Sequence, residues 1–297
     1  MRVYRLDATG VLRTVLAAVL LLGAISCATG GRTRAPALPL NPQALAARRP
    51  LLQPFRAELG GRVRAGGEKG RFKAGLGAIP PDFRLDVFHP VSGSTLMSVG
   101  VHEGVLHAVW PAEGECLKGS SSAEMMDRLL GVPVPPEDFL QMLSGHLFRD
   151  GEVEFLSIRH PPMAVAVEGA PPPGEGDRLI VTAVNPASGV RWEGELLSQR
   201  QGRALRGRRE DRAGGEVFLE YPRWQPTKDD GSGGYPGRVE FRVPDRKLKL
   251  EVDIKQLVWG GPSLSALLPA LPDGCRLLTP QTLPGLLPLG AAPDEAE

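Results

Sequence analysis

Between residues 82 and 110 the side chains alternate with a period of two. Phe83, Leu85 and Val87 alternate with Arg84 and Asp86. Met97, Val99 and Val101 then oppose Leu96 and Ser98, and Val105, His107 and Val109 oppose Leu106, Ala108 and Trp110. This spacing predicts three strands of an antiparallel meander, because successive strand side chains point to opposite faces. The stretch His89-Pro90-Val91-Ser92-Gly93-Ser94-Thr95 between the first two strands cannot continue a ladder. Pro90 has no N–H to donate and Gly93 accepts positive φ, so the segment projects as a loop. Val91 is then an apolar side chain at a loop tip, which either tucks back onto its own hairpin or stands out from it.

The same period recurs on both sides of this meander. Phe55, Ala57 and Leu59 alternate with Arg56 and Glu58, the Gly60-Gly61 pair allows a bulge or bend, and Phe72, Ala74, Leu76 and Ala78 mark the next strand before Pro80-Pro81. Strands are predicted again over 152–159, 178–184, 190–197 and at Val217, Leu219 and Tyr221. The hairpin 235–254 has the cleanest alternation, so one of its faces is solvated and the other covers a buried or ligand-holding interior. The period changes only between 121 and 145. There Ser121-Ser122-Ala123-Glu124 has the form of a capping box, Met125, Met126, Leu129 and Leu130 recur at helical spacing, and Gly131 ends the helix. A second helix opens at Pro135-Pro136-Glu137-Asp138, carries Phe139, Leu140, Met142 and Leu143, and stops at Gly145. These two apolar stripes either plug the core or, with their methionines, meet a changeable apolar ligand. The prediction is a mainly β fold with two short helices, and a short further helix beyond Gly261.

Composition agrees: 37 Gly and 29 Pro in 297 residues suit a turn-rich β protein rather than a helical bundle. A formal charge of +1 gives no reason to expect nucleic acid as a partner. The run 200–212 holds six arginines without aromatics and is expected to be a solvated hairpin. The loop 228–234 lacks the ligand series of a calcium site. No HExxH, GxSxG, CxxC, phosphate-binding loop or dinucleotide fingerprint is present, so no metal, no cofactor and no enzymatic activity is expected.

The N-terminus changes the picture. Arg2, Arg5 and Arg13 precede an apolar run over 15–25, too short for a bilayer, which reads as a secretory signal ending Ala24-Ile25-Ser26-Cys27. That ending resembles the bacterial lipobox, whose cysteine is acylated after the signal is cut. An ordinary signal with a chance cysteine, or a short anchor, are the alternatives. The expected division is a signal peptide over 1–26, an acylated tether over 27–50 with a helix start at Asn41-Pro42, a globular domain over 51–262, and a Pro-rich tail over 263–297. The lack of Asp after Cys27 favours the periplasmic face of the outer membrane. Removing 1–26 leaves 32 basic and 33 acidic side chains, a charge near −1. In an oxidising periplasm Cys116 and Cys275 form either a disulfide or two unrelated buried thiols.

In order along the chain, Gly61-Arg62-Val63, the Arg-Leu-Asp strand at 84–86, the Pro-Val-Ser-Gly-Ser-Thr loop, Leu129 to Pro135 between the helices, Leu143-Ser144-Gly145 and Tyr235-Pro236-Gly237-Arg238-Val239 together resemble the LolA/LolB-type lipoprotein carriers and receptors. With the lipobox the pattern is most similar to LolB. The resemblance implies an incomplete antiparallel β-barrel whose concave apolar face, lidded by short helices, holds the acyl chains of lipoproteins received from a periplasmic LolA-like carrier. It places Pro90 and Val91 in the loop that inserts lipoproteins into the membrane, although Val91 stands where a leucine is usual. Candidate cavity residues on the sheet are Leu85, Val87, Met97, Val99, Trp192, Leu250 and Val252, and on the lid Met125, Met126, Leu129, Phe139 and Leu143. The Pro-rich insertion 161–176 departs from a compact member. A lipid-binding lipoprotein without an insertion role, and a structural envelope lipoprotein, are the other readings.

Overall fold

The computed structural model describes residues 53–147, 153–159, 178–197, 203–226, 234–261, 263, 266–279 and 283. The expected signal peptide, Cys27, the expected tether with its Asn41-Pro42 helix start, the 161–176 stretch, nearly all of the 228–234 loop and the end of the expected tail lie outside the described residues.

The described chain forms one curved, 14-stranded sheet with two short helices on its apolar face. Six strands run first: β1 (Phe55–Ala65), β2 (Glu68–Ile79), β3 (Asp82–Phe88), β4 (Thr95–His102), β5 (Val105–Trp110) and β6 (Glu115–Ser120). After helices α1 (Ala123–Leu130) and α2 (Pro136–Ser144) come β7 (Glu154–Arg159), β8 (Arg178–Val184), β9 (Arg191–Leu197), β10 (Arg203–Glu210), β11 (Glu216–Gln225), β12 (Tyr235–Val243), β13 (Leu248–Trp259) and β14 (Arg276–Leu277). Each half is a meander, and β1 pairs with β13 to join them, giving the order β14-β6-β5-β4-β3-β2-β1-β13-β12-β11-β10-β9-β8-β7. All pairs are antiparallel except β14 with β6. The sheet does not close on itself, since β7 and β14 stand at opposite ends of that order.

This topology dictates the place of the helices. The chain leaves β6 near one edge and must reach β7 at the other, so it crosses the face of the sheet. That path buries backbone, and helices satisfy buried N–H and C=O groups internally. Ser122 caps α1 by accepting a hydrogen bond from Met125 N at 3.2 Å. Glu124 pairs with Arg128 along the helix rather than closing the predicted capping box, because the cap falls one residue later than Ser121. Pro136 opens α2, with Glu137 and Asp138 in its first turn, where the helix dipole favours acids. Gly145 ends it at φ 80°, and a Cβ there would lie 2.5 Å from the Trp224 ring.

The alternation read from sequence becomes one apolar layer. Phe83, Leu85 and Val87 on β3, Leu179, Val181 and Ala183 on β8, and Leu248, Leu250, Val252 and Ile254 on β13 all belong to a single core with the helix side chains. A bulge at Lys255, opposite the Glu58/Leu59 step, breaks the ladder one residue before the glycine pair expected to permit it.

One expectation changes. The Arg-rich run is not a free-standing solvated hairpin: 203–210 is β10, paired on both sides, with Arg206 and Arg208 outward and Arg209 buried. Beyond Gly261, residues 262, 264 and 265 of the expected short helix lie outside the described residues; Ala266 N donates to Ser263 O, and Cys275 N closes a further turn on Pro272 O. Residues 266–277 then run over the outer face of β4 to β6. Leu267 is buried there against Gly100, whose added Cβ would lie 2.2 Å from Leu267 O. Arg84 donates to Ala266 O, and Cys275 is disulfide-bonded to Cys116 on β6.

Candidate functional site

The twelve predicted cavity residues converge. Leu85, Val87, Met97, Val99, Trp192, Leu250 and Val252 from the sheet, and Met125, Met126, Leu129, Phe139 and Leu143 from the helices, are all buried in the one core cluster. The apolar interior under the helices is therefore occupied by the protein's own side chains. Phe139 sits at its centre, 6.2 Å from the Phe83 ring and 5.9 Å from Phe241, stacked on the latter at 28°. Three methionines of the helices, Met125, Met126 and Met142, complete the filling. Their unbranched, rotatable side chains repack more readily than branched ones.

Polar contacts pin the helices to the sheet. Arg209 Nε on β10 donates to Asp138 Oδ2 on α2 at 3.1 Å, and this pair is almost wholly buried. Tyr221 OH donates to Met142 O at 2.9 Å at the far end of α2. Arg246, in the turn between β12 and β13, pairs with Asp127 of α1. Sequence reading missed Arg209 because a bulge between Ala204 and Arg206 shifts the parity of β10, which no simple alternation reveals. The Arg209 guanidinium lies 5.8 Å from the centroid of the Trp192 ring.

The loop between β3 and β4 is built to project. His89 N donates to Ser94 O, Gly93 N to His89 O, and the His89 Nδ1 acceptor receives both Val91 N and Ser92 N. Ser92 and Ser94 hydroxyls bond each other at 2.8 Å. Val91 does not tuck onto its hairpin: it is 89% exposed, the highest among the large exposed apolar side chains described. Pro90 precedes it.

The opposite face of the sheet is charged. Lys249 bridges Glu240 and Glu251, Arg242 pairs with Glu220, and Arg238 with Asp253. The hydrogen bond from Lys249 holds the Glu251 carboxyl below the ordinary carboxylate range and is, with Glu240, why the Lys249 ammonium is raised. An open cavity of about 560 Å³ lies on this face, lined by Ile180, Glu195, Arg206, Phe218, Glu220 and Arg242. None of the twelve predicted cavity residues lines it. Glu195 at its wall is buried and already paired with Arg178 and Arg206. Among the described residues no three His, Cys, Asp or Glu side chains gather as metal ligands.

No protein-family model and no curated protein matches the sequence. Among solved structures, a LolA superfamily protein from Nitrosomonas europaea is similar at 10% identity and TM-score 0.49, covering 76% of this chain and 96% of that one. A DUF1329 family protein from Desulfovibrio piger is similar at 16% identity and TM-score 0.48, over 72% and 90% of the two chains. A domain assigned to outer membrane lipoprotein sorting, from Vibrio parahaemolyticus, is similar at 11% identity and TM-score 0.48, over 73% and 89%.

Proposed function

We propose that this protein is a lipid-anchored envelope protein, acylated at Cys27, that binds acyl chains of lipoproteins between its sheet and its two helices and helps place them in the outer membrane. One observation carries the reading: an apolar sheet face is covered by two short helices rich in methionine, each ended by a glycine at positive φ. Ligand entry requires those helices to lift, since their side chains fill the interior when closed. A chain of about 14 methylenes exposed to water costs on the order of 11 kcal/mol, at ~0.8 kcal/mol each, so a carrier must keep it covered throughout. The helix side chains and the ligand are exchangeable fillings of one space, and transfer from a LolA-like donor needs only a difference in affinity. Val91, held out on a cross-bonded loop, is the natural point of entry into a membrane.

A second reading has its own support. The closed, self-filled interior suits a structural envelope lipoprotein that binds no lipid at all. Depletion in the native bacterium separates the two. The carrier reading expects outer-membrane lipoproteins to be lost and to be restored by wild type but poorly by Val91→Glu. Unchanged sorting, no extractable lipid and a crosslinked protein partner would establish the scaffold instead.

A further inference from the structure

Among the described residues the buried polar side chains are Ser98, Glu115, Glu195 and Arg209, and only Arg209 is a cation. Its side chain is 5% exposed, on the same face as the helices, walled by Trp192 on one side and joined to Asp138 on the other. Asp138 stands in the first turn of α2, the helix that must move before anything enters. Displacing α2 therefore removes the carboxylate while the guanidinium remains fixed to the sheet. A buried charge stripped of its partner is strongly unfavourable, whereas an oxyanion carried by the entrant restores the pairing. A planar guanidinium also offers further N–H donors for a second, parallel bond to a carboxylate or phosphate.

We infer that Arg209 is the headgroup site for an anionic amphiphile, its carboxylate or phosphate replacing Asp138 and its alkyl tail replacing the helix side chains around Phe139. This rests on the proposed acyl-binding interior and names the ligand class that interior prefers. A neutral lipid would fill the apolar space yet leave the cation bare, so head chemistry, not tail length alone, sets the affinity. Asp138 acts as an internal competitor, holding the helix shut until an external anion takes its place.

The test uses the full chain carrying Cys27→Ser, so that no acyl group is attached, titrated calorimetrically with decanoate, decyl phosphate and decanol below their micellar or solubility limits. Wild type binds at least one of the two anions about tenfold or more tighter than decanol, the effect of one charge-assisted hydrogen bond. Preference for decyl phosphate over decanoate assigns the site to phosphate heads, and the reverse to carboxylates. Arg209→Gln removes the anion preference, bringing all three ligands to within about threefold of one another, and Asp138→Asn, which removes the latch on α2, tightens all three ligands while keeping the anion preference. The double change Arg209→Met with Asp138→Leu, which leaves no buried charge at this site, binds all three ligands without preference and guards against misfolding of the single variants. Retention of the anion preference in Arg209→Gln, or equal affinities in wild type, would overturn the headgroup site while leaving the interior in place. Failure of every alkyl probe to bind wild type would instead remove the acyl-binding interior itself.

Discussion

Replacing Phe139 by Ala probes whether the helices form a lid or a fixed part of the core. The ring is buried between Phe83 and Phe241, at 6.2 and 5.9 Å between centroids. Truncating a buried Phe costs about 3–5 kcal/mol, of which aromatic pairing supplies roughly 0.5–1.5 per pair. Phe139 is the largest side chain that α2 places on the sheet. The loss is therefore drawn from helix docking, while the ladders of β1, β13 and β12 stay intact. At ~1.4 kcal/mol per tenfold, a 3 kcal/mol loss raises the opening equilibrium of α2 by roughly 100-fold. Native-state hydrogen exchange reads this directly. In wild type the amides of α2 should be less protected than those of β13, showing an opening short of global unfolding. In the variant they should exchange at least ~100-fold faster while the sheet keeps its far-ultraviolet signal and a cooperative melt. Equal protection of α2 and β13 in wild type, with both lost together in Phe139→Ala, would refute the lid and make the helices one cooperative unit with the sheet.

Four further outcomes follow from particular contacts. Reducing the Cys116–Cys275 disulfide, which spans 159 residues, should lower stability by about 2–4 kcal/mol in a melt with and without reductant and speed exchange at β6. Gly100→Val should cost about 1–3 kcal/mol in chemical denaturation, because its side chain overlaps Leu267 O and Pro269, and should make the 266–277 segment sensitive to protease. Glu251 has its carboxyl pKa lowered by Lys249, so its contribution is full above the unfolded carboxylate value of about 4.3 and is lost as pH falls through the folded one. Melting temperature against pH should accordingly drop less steeply below about pH 4 in Glu251→Gln than in wild type. Val91→Glu should leave the folding free energy within about 0.5 kcal/mol of wild type, as an exposed loop change, while reducing co-sedimentation with phospholipid vesicles. Unchanged sedimentation would remove Val91 as a membrane contact.

Sequence alternation carried the architecture far, for a physical reason: a sheet with one buried face imposes period two on every strand. Phe83-Leu85-Val87 and Leu250-Val252-Ile254 were legible at once, as were both helices from their stops at Gly131 and Gly145. Long-range consequences were not. Crossing from β6 to β7 over the sheet face follows from the β1–β13 pairing, which no local window contains. Arg209 hid behind a bulge, and Leu267 lay in a Pro-rich stretch that gives no period at all, although it is wholly buried against the outer face. Candidate cavity residues were recognisable as apolar and inward. Whether the space between them holds lipid or side chains depends on packing between elements far apart in sequence.

The central claim is that the space beneath the helices admits an alkyl chain. Photolabelling the full chain with a fatty acid bearing a mid-chain diazirine, followed by peptide mapping, tests it most directly. Label should appear on the inner residues of α1, α2 and the facing strands, among them Met125, Met126, Met142 and Val99, and should be competed away by unlabelled fatty acid. Label confined to exposed positions such as Val91 and Leu277, with the inner peptides unmodified at saturation, would contradict it.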